Sequence, residues 1–191
     1  MNFLTVTKTE IVITSSASQP MKISKKKFLT ARKTEIVITC VSHLVFQSAL
    51  VIRDSQFGFL GALSCNIGHA TPLEAEFCAC MIAIEKAMEL GLNNICLETD
   101  SLKVVNAFHK IVGIPWQMRV RWHNCIRFCH SIACVCVHIP REGNLVADAL
   151  ARHGQGLSLF FLQWWPAPPS FIQSFLAQDR YGMSSSRLNI R

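Results

Sequence analysis

The chain is predicted to fold as an α/β domain in which a mixed β-sheet carries helices on its faces. Three observations support this prediction: three β-rich segments open the regular part of the chain, apolar residues follow at helical spacing, and a further apolar β-branched run comes near residue 135. The predicted order of elements is β-β-β-α-β-α-α-β-α. The 191 residues, half of them apolar, suit one domain with extensions.

Five segments have the composition of strands. Residues 34–39, 44–53 and 57–67 are rich in β-branched and other apolar side chains. The sequence DSQFG between the last two reads as a hairpin turn. Shorter apolar runs at residues 95–97 and 132–139 complete the set. We therefore expect five strands in the sheet.

Four segments have the spacing or the terminal signals of helices. Pro72 stands in the first turn of one segment and Gly91 lies just past its end, as proline and glycine commonly do. Ser101 and Asn144 occupy N-cap positions of two others. The predicted helices are residues 72–91, 101–110, 117–129 and 144–153.

The first 33 residues differ in charge from the rest of the chain. Seven basic residues against one acid give them a net charge of +6, whereas the remaining 12 basic and 11 acidic residues give +1. The segment FLTVTKTEIVIT at residues 3–14 recurs as FLTARKTEIVIT at residues 28–39, a local duplication too short for a solenoid. We expect residues 1–33 to be a basic, disordered leader, residues 34–156 the folded domain, and residues 157–191 an aromatic and proline-rich tail.

The nine cysteines favour neither a disulfide framework nor a zinc site. No Cys-x-x-Cys pair occurs, and most cysteines lie in apolar runs, which is typical of reduced, buried thiols in an intracellular protein. No apolar stretch reaches the roughly 18 residues that a membrane span needs, and no secretory segment opens the chain. We expect a cytoplasmic or nuclear protein that is not secreted and has no membrane partner. The basic, Ser/Thr-rich start leaves an organelle transit peptide open.

Three acidic residues have local contexts that could bring them to one edge of the sheet. Glu76 lies on an apolar helical stripe, although a helix start also favours an anion. Asp100 follows a predicted strand, at the edge where open α/β sheets bind ligands, although a turn aspartate would look the same. Asp148 stands in the first turn of the last helix, where acids are common. Because clustered carboxylates repel one another, a fold that gathers all three usually places cations among them.

The order of these contexts resembles the ribonuclease H family, and most closely the plant RNase H-like domain of retroelement-derived proteins. The motifs are AE at residues 75–76, ETDS at 98–101 and REGNLVADALA at 141–151. The likeness covers about residues 34–156 and implies an RNase H-like fold with a five-stranded mixed sheet. It also implies cleavage of the RNA strand of an RNA–DNA hybrid with two Mg²⁺ ions, a nucleic-acid partner (hybrid or RNA), and a monomer.

The resemblance assigns roles to individual residues. Glu76 and Asp100 match metal-binding carboxylates, and Asp148 matches the last acid, which helps to hold the second metal ion. His138 stands where relatives can carry a histidine that handles protons or releases product, although a histidine at a strand end is often structural. Three arginines on a predicted helix would contact phosphates or simply form a solvated face: Arg119, Arg121 and Arg127.

One expected metal ligand is absent from the first strand. Strands of this family end there in Asp-Gly, whereas the register from residues 36–39 places Cys40 and Val41 at this point, and no aspartate precedes Asp54. A neutral thiol is a poor ligand for Mg²⁺. We therefore expect impaired hydrolysis of RNA–DNA hybrids. An inactive nucleic-acid-binding module and a decayed retroelement fragment are the alternatives.

Overall fold

The computed structural model describes residues 2–7, 10–15, 18–22, 35–43, 47–110, 113–140 and 145–180. The predicted cap Asn144 therefore lies outside the described residues. The strands are β1 (Asn2–Thr7), β2 (Glu10–Ser15), β3 (Ser18–Lys22), β4 (Ile36–His43), β5 (Gln47–Arg53), β6 (Phe59–Asn66), β7 (Asn94–Thr99), β8 (Ala133–His138) and β9 (Leu162–Trp165). The helices are α1 (Pro72–Glu89), α2 (Leu102–Phe108), α3 (Arg119–Ser131), α4 (Leu145–Gly154) and α5 (Gln173–Arg180).

The main sheet has six strands in the order β8-β7-β4-β5-β6-β9. β4 pairs in parallel with β7, and β7 with β8, whereas the pairs β4–β5, β5–β6 and β6–β9 are antiparallel. The predicted mixed α/β sheet is thus confirmed, and the predicted number of five strands is one too low. The sixth strand, β9, comes from the tail.

The tail joins the sheet because its tryptophans gain burial there. Trp164 packs against the core between the sheet and α1. Its ring lies so close to Gly61 that a Cβ atom at residue 61 would come within 2.2 Å of it. The glycine in β6 therefore makes room for the indole, and two otherwise exposed tryptophans become partly covered.

The leader contains a second sheet in which β1, β2 and β3 pair antiparallel. That the leader as a whole is disordered stays a prediction. Threonine, valine and isoleucine make up most of the first repeat copy, and their branched side chains favour extended backbone. Residues 23–34, which connect this sheet to the domain, lie outside the described residues.

Two apolar cores cover the two faces of the main sheet. On one face, Ile38 and Leu50 pack beneath α1 and α3, where Phe77 and Trp122 meet edge to face at a centroid distance of 4.9 Å. The other face carries α4 and the turn Ser170–Ile172. Successive residues of β4 point to opposite faces, so a shift of one residue changes which core a side chain enters.

Two helices begin with side-chain N-caps. The Thr71 hydroxyl and the Glu74 side chain form a capping box before α1. The Ser101 hydroxyl accepts a hydrogen bond from the Val104 backbone N–H at 3.3 Å, which confirms the predicted cap of α2. Within the described part of the chain, none of the helices combines the length and apolarity that crossing a bilayer requires.

All nine cysteines are free thiols, as predicted, and seven of them are buried. Burial raises the pKa of Cys65 to about 11 and that of Cys125 to about 12. These two thiols therefore stay protonated at neutral pH and are weak ligands for metal ions.

Candidate functional site

The candidate site lies where the parallel strands β4, β7 and β8 end at one edge of the sheet. Cys40 of β4 stands opposite Thr99 of β7, and Thr99 stands opposite His138 of β8. Asp100 follows directly after β7 and is half-buried. The strand ends therefore bring residues from three separate parts of the sequence to one place.

Glu76 reaches this edge from α1. Its Oε2 atom accepts a hydrogen bond of 2.5 Å from the Ser101 hydroxyl, and Ser101 is buried at the start of α2. One serine thus caps α2 and orients a carboxylate from the neighbouring helix. Glu76 does not extend into solvent from the helix start, and its carboxylate lies beside the residue that follows Asp100.

His138 is held next to Asp100 by the backbone. Its Nε2 atom lies 3.2 Å from the Asp100 carbonyl oxygen, and the Ile139 N–H donates to the Thr99 carbonyl at 2.9 Å. Because a carbonyl oxygen only accepts, this contact is a hydrogen bond when Nε2 carries the proton. The imidazole therefore has a fixed position at the sheet edge.

Asp148 approaches from the opposite face, where α4 packs. Its side chain is largely covered, and its Oδ2 atom lies 3.8 Å from the Arg152 guanidinium one turn along the helix. The adjacent Val146 and Ala147 share an apolar core with Val41. Within the ranges that the structure describes, no three His, Cys, Asp or Glu side chains form a group that could hold a metal ion.

That Cys40 occupies the missing first-strand ligand position stays a prediction. β4 continues to His43, so Cys40 lies inside the strand. The Cys40 side chain is fully buried on the α1 face, and its thiol donates to the Glu98 carbonyl at 3.5 Å. The parallel pairing with β7 ends at Cys40–Thr99, and the next residue, Val41, lies on the face that carries Asp148.

The donor set at this edge does not fit two Mg²⁺ ions. Mg²⁺ takes oxygen ligands, mainly carboxylates and water. On the first strand, Cys40 offers a buried thiol and Val41, which is 1% exposed, offers only methyl groups. The edge therefore retains part of a carboxylate site and lacks the contribution of its first strand.

A buried polar network lies beneath the site on the α4 face, and sequence reasoning missed it. Arg53, 6% exposed, donates from Nη2 to the Thr39 hydroxyl at 2.8 Å and from Nη1 to Asp179 at 2.5 Å. The Thr39 hydroxyl in turn donates to Glu98 at 2.8 Å. Burial raises the pKa of Asp179, and the Arg53 charge acts in the opposite direction. Arg53 closes an apolar run in the sequence, which gives no sign of a partner 126 residues away.

The three predicted phosphate-binding arginines have different surroundings. Arg121 places Nε and Nη2 on the two carboxylate oxygens of Glu85, both at 2.7 Å. This two-bond pair raises the pKa of Arg121 and occupies the fork that a phosphate would need. Arg119 and Arg127 are exposed on α3 and remain the better placed of the three.

The basic residues of the domain are concentrated in one stretch of the sequence. From Ser101 to Arg141 the chain carries six lysines and arginines and no aspartate or glutamate. This stretch includes α2, which directly follows Asp100, α3, and β8, which ends at His138. The net charge of +1 outside the leader therefore conceals a strong local segregation of charge.

The mixed sheet, with α1, α2 and α3 on one face, α4 on the other and acidic residues at its edge, defines the RNase H-like class of α/β domains. Known structures agree with this class. The RNase H1 of the archaeon Halobacterium salinarum is 23% identical, with a TM-score of 0.55 over 63% of this chain and 96% of that chain. LC11-RNase H1, solved in complex with an RNA/DNA hybrid, is 22% identical, with a TM-score of 0.53 over 62% and 94%.

Sequence comparison gives the family. The profile of the reverse transcriptase-like family matches residues 42–154, and the chain belongs to this family. An Arabidopsis thaliana protein, whose name assigns it provisionally to ribonuclease H, is 30% identical over 142 residues. The match covers 72% of this chain and 22% of that protein, so the chain spans about a fifth of the curated relative's length.

Proposed function

We propose that this RNase H-like domain binds RNA–DNA hybrids or RNA and has little or no capacity to cleave them. The observation that carries the proposal is the segregation of charge, since residues 101–141 contain six basic and no acidic side chains. Phosphate contacts from such a surface supply most of the affinity for nucleic acids. The hybrid bound to LC11-RNase H1 supports the choice of ligand.

Exposed cations on two helices would make the contacts. Lys103 stands in the first turn of α2, directly after the candidate site, and Arg119 and Arg127 project from α3. Eight residues of helix separate the two arginines by about 12 Å along the axis. The surface can therefore follow a nucleic-acid backbone over several phosphates and needs no base-specific contact.

Weak or absent cleavage follows from Cys40 and Val41, neither of which carries a carboxylate. In the family that the chain resembles, two metal ions act together, and their ligands include a first-strand carboxylate. Neither side chain can replace it, and the remaining acids would have to bind Mg²⁺ without it. Ribonuclease activity remains the second candidate, because Glu76, Asp100 and His138 are kept together at the edge.

Binding is tested by fluorescence anisotropy with a labelled RNA–DNA hybrid over a range of salt concentrations. The double variant Arg119→Gln, Arg127→Gln should bind less tightly, and its slope of log affinity against log salt should fall by about two. Arg152→Gln is the matched control, since Arg152 is an exposed arginine on α4. Affinity that is absent, insensitive to salt or unchanged in the double variant would refute the proposal.

Cleavage is tested in parallel on a gel with Mg²⁺ present. We expect intact hybrid after incubation with the wild-type chain. Mg²⁺-dependent cleavage that Asp100→Asn abolishes would instead establish the ribonuclease. A chain that neither binds nor cleaves would favour the decayed retroelement fragment.

A further inference from the structure

Trp116 is an unusually exposed aromatic side chain. It is 74% exposed, whereas Trp122, two turns further along, is fully buried. Exposing a large aromatic side chain to water is unfavourable, and those that remain exposed often mark contact sites. No core position explains why a tryptophan stands at residue 116.

The backbone of Trp116 is part of a hydrogen-bonded 3-10 turn near the candidate site. Trp116 opens the 3-10 turn Trp116–Met118, which the Met118 N–H closes on the Pro115 carbonyl at 3.0 Å. α3 has 13 residues and then leads directly into the six residues of β8, so each spans about 20 Å. The start of α3 therefore lies near the end of β8, where His138 meets Asp100.

The charge around Trp116 favours a polyanion over an apolar protein partner. Arg119 follows three residues later, is exposed, and is steadied by a hydrogen bond of 3.3 Å from its Nε to the Ile114 carbonyl. No acid occurs within 101–141. An indole beside a guanidinium is the combination on which unpaired bases stack while their phosphates are neutralised.

We propose that Trp116 is a stacking platform for an unpaired base where a nucleic-acid strand passes beyond the duplex, with Arg119 on the adjoining phosphate. This inference rests on the proposed function and narrows it. The preferred ligand would be a hybrid with a single-stranded overhang. Loss of one stacked base lowers affinity by about 5- to 150-fold.

The experiment compares a blunt RNA–DNA hybrid with the same hybrid carrying a six-nucleotide overhang, by fluorescence anisotropy. The wild-type chain should prefer the overhang by about 5- to 150-fold. Trp116→Ala should lose this preference and keep its affinity for the blunt hybrid, and Trp116→Phe should keep part of the preference. Phe160→Ala is the matched control, since Phe160 is 69% exposed and lies just before β9.

The possible failures separate the two proposals. If the wild-type chain binds both hybrids equally, or if Trp116→Ala keeps the preference, the platform is refuted and the proposed function stands. If neither hybrid binds, both are refuted. If Trp116→Ala weakens both hybrids equally, Trp116 is a general contact, and the stacking role is wrong.

Discussion

Replacing Val41 with aspartate tests whether the sheet edge lacks only its first-strand carboxylate. Val41 directly follows the Cys40–Thr99 pair of the β4–β7 register and packs on the face that carries Asp148. An aspartate at residue 41 would therefore add a carboxylate among the existing ones. We expect the Val41→Asp chain to be unstable without divalent cations and to be stabilised by Mg²⁺.

The expected sizes follow from the burial of Val41, which is 1% exposed. An unpaired buried charge costs about 3–5 kcal/mol, so Tm in EDTA should fall by about 6–20 °C for a chain of this length. Mg²⁺ at about 100 times its Kd would raise the free energy of unfolding of the variant by about 2.7 kcal/mol. Its Tm would then rise by about 5–11 °C. The Mg²⁺-dependent part of the Tm is therefore large enough to measure.

Thermal unfolding in EDTA and in increasing Mg²⁺ is the assay, with hybrid cleavage on a gel as a second readout. Cys40→Asp is the matched control, because Cys40 is equally buried one residue away and faces α1. That variant should lose stability without recovery in Mg²⁺. Equal Mg²⁺ responses in the two variants, or recovery in Cys40→Asp alone, would refute the assignment of residue 41.

Three further perturbations follow from the described contacts. Ser101→Ala removes the cap of α2 and should cost about 1 kcal/mol of unfolding free energy in urea, whereas a cost below about 0.3 would argue against the cap. Gly61→Ala places a Cβ atom against the Trp164 ring and should cost about 1–3 kcal/mol, with a red shift of tryptophan emission that an undisturbed β9 would not show. Burial raises the pKa of Asp179 beside Arg53. The folded chain therefore takes up that proton before the unfolded chain does, and the stability of wild type relative to Asp179→Asn should rise as pH falls from 7 to about 4. A relative stability that falls over this range would contradict the raised pKa.

Elements whose signals lie within a few residues were predicted closely. Ser101 caps α2 and Pro72 opens α1, because capping and first-turn preferences depend on neighbouring backbone groups alone. The boundaries of strands were less accurate, since the segment predicted to end at residue 39 continues in β4 to His43. A strand ends where its partner ends, and the partner is not visible in a local pattern.

The two candidate positions for the missing ligand face opposite sides of the sheet. The sequence placed the gap at Cys40 and Val41 together and favoured Cys40, and in the structure Cys40 packs in the core under α1 and Val41 in the core under α4. Neighbouring residues of a strand face opposite sides of the sheet, so an uncertainty of one residue exchanges the two cores. Which side chain faces which helix is therefore a property of the assembled sheet.

The sequence alone determined the class of domain, the acids at its edge and the absence of a first-strand aspartate, because these depend on motif order and residue identity. Tertiary structure alone decided three long-range contacts. They are the pairing of β9 with β6, the Arg53–Asp179 bond in the buried network, and the capture of Arg121 by Glu85. Each joins residues that are distant in the sequence, and their partners follow from how the sheet and helices pack.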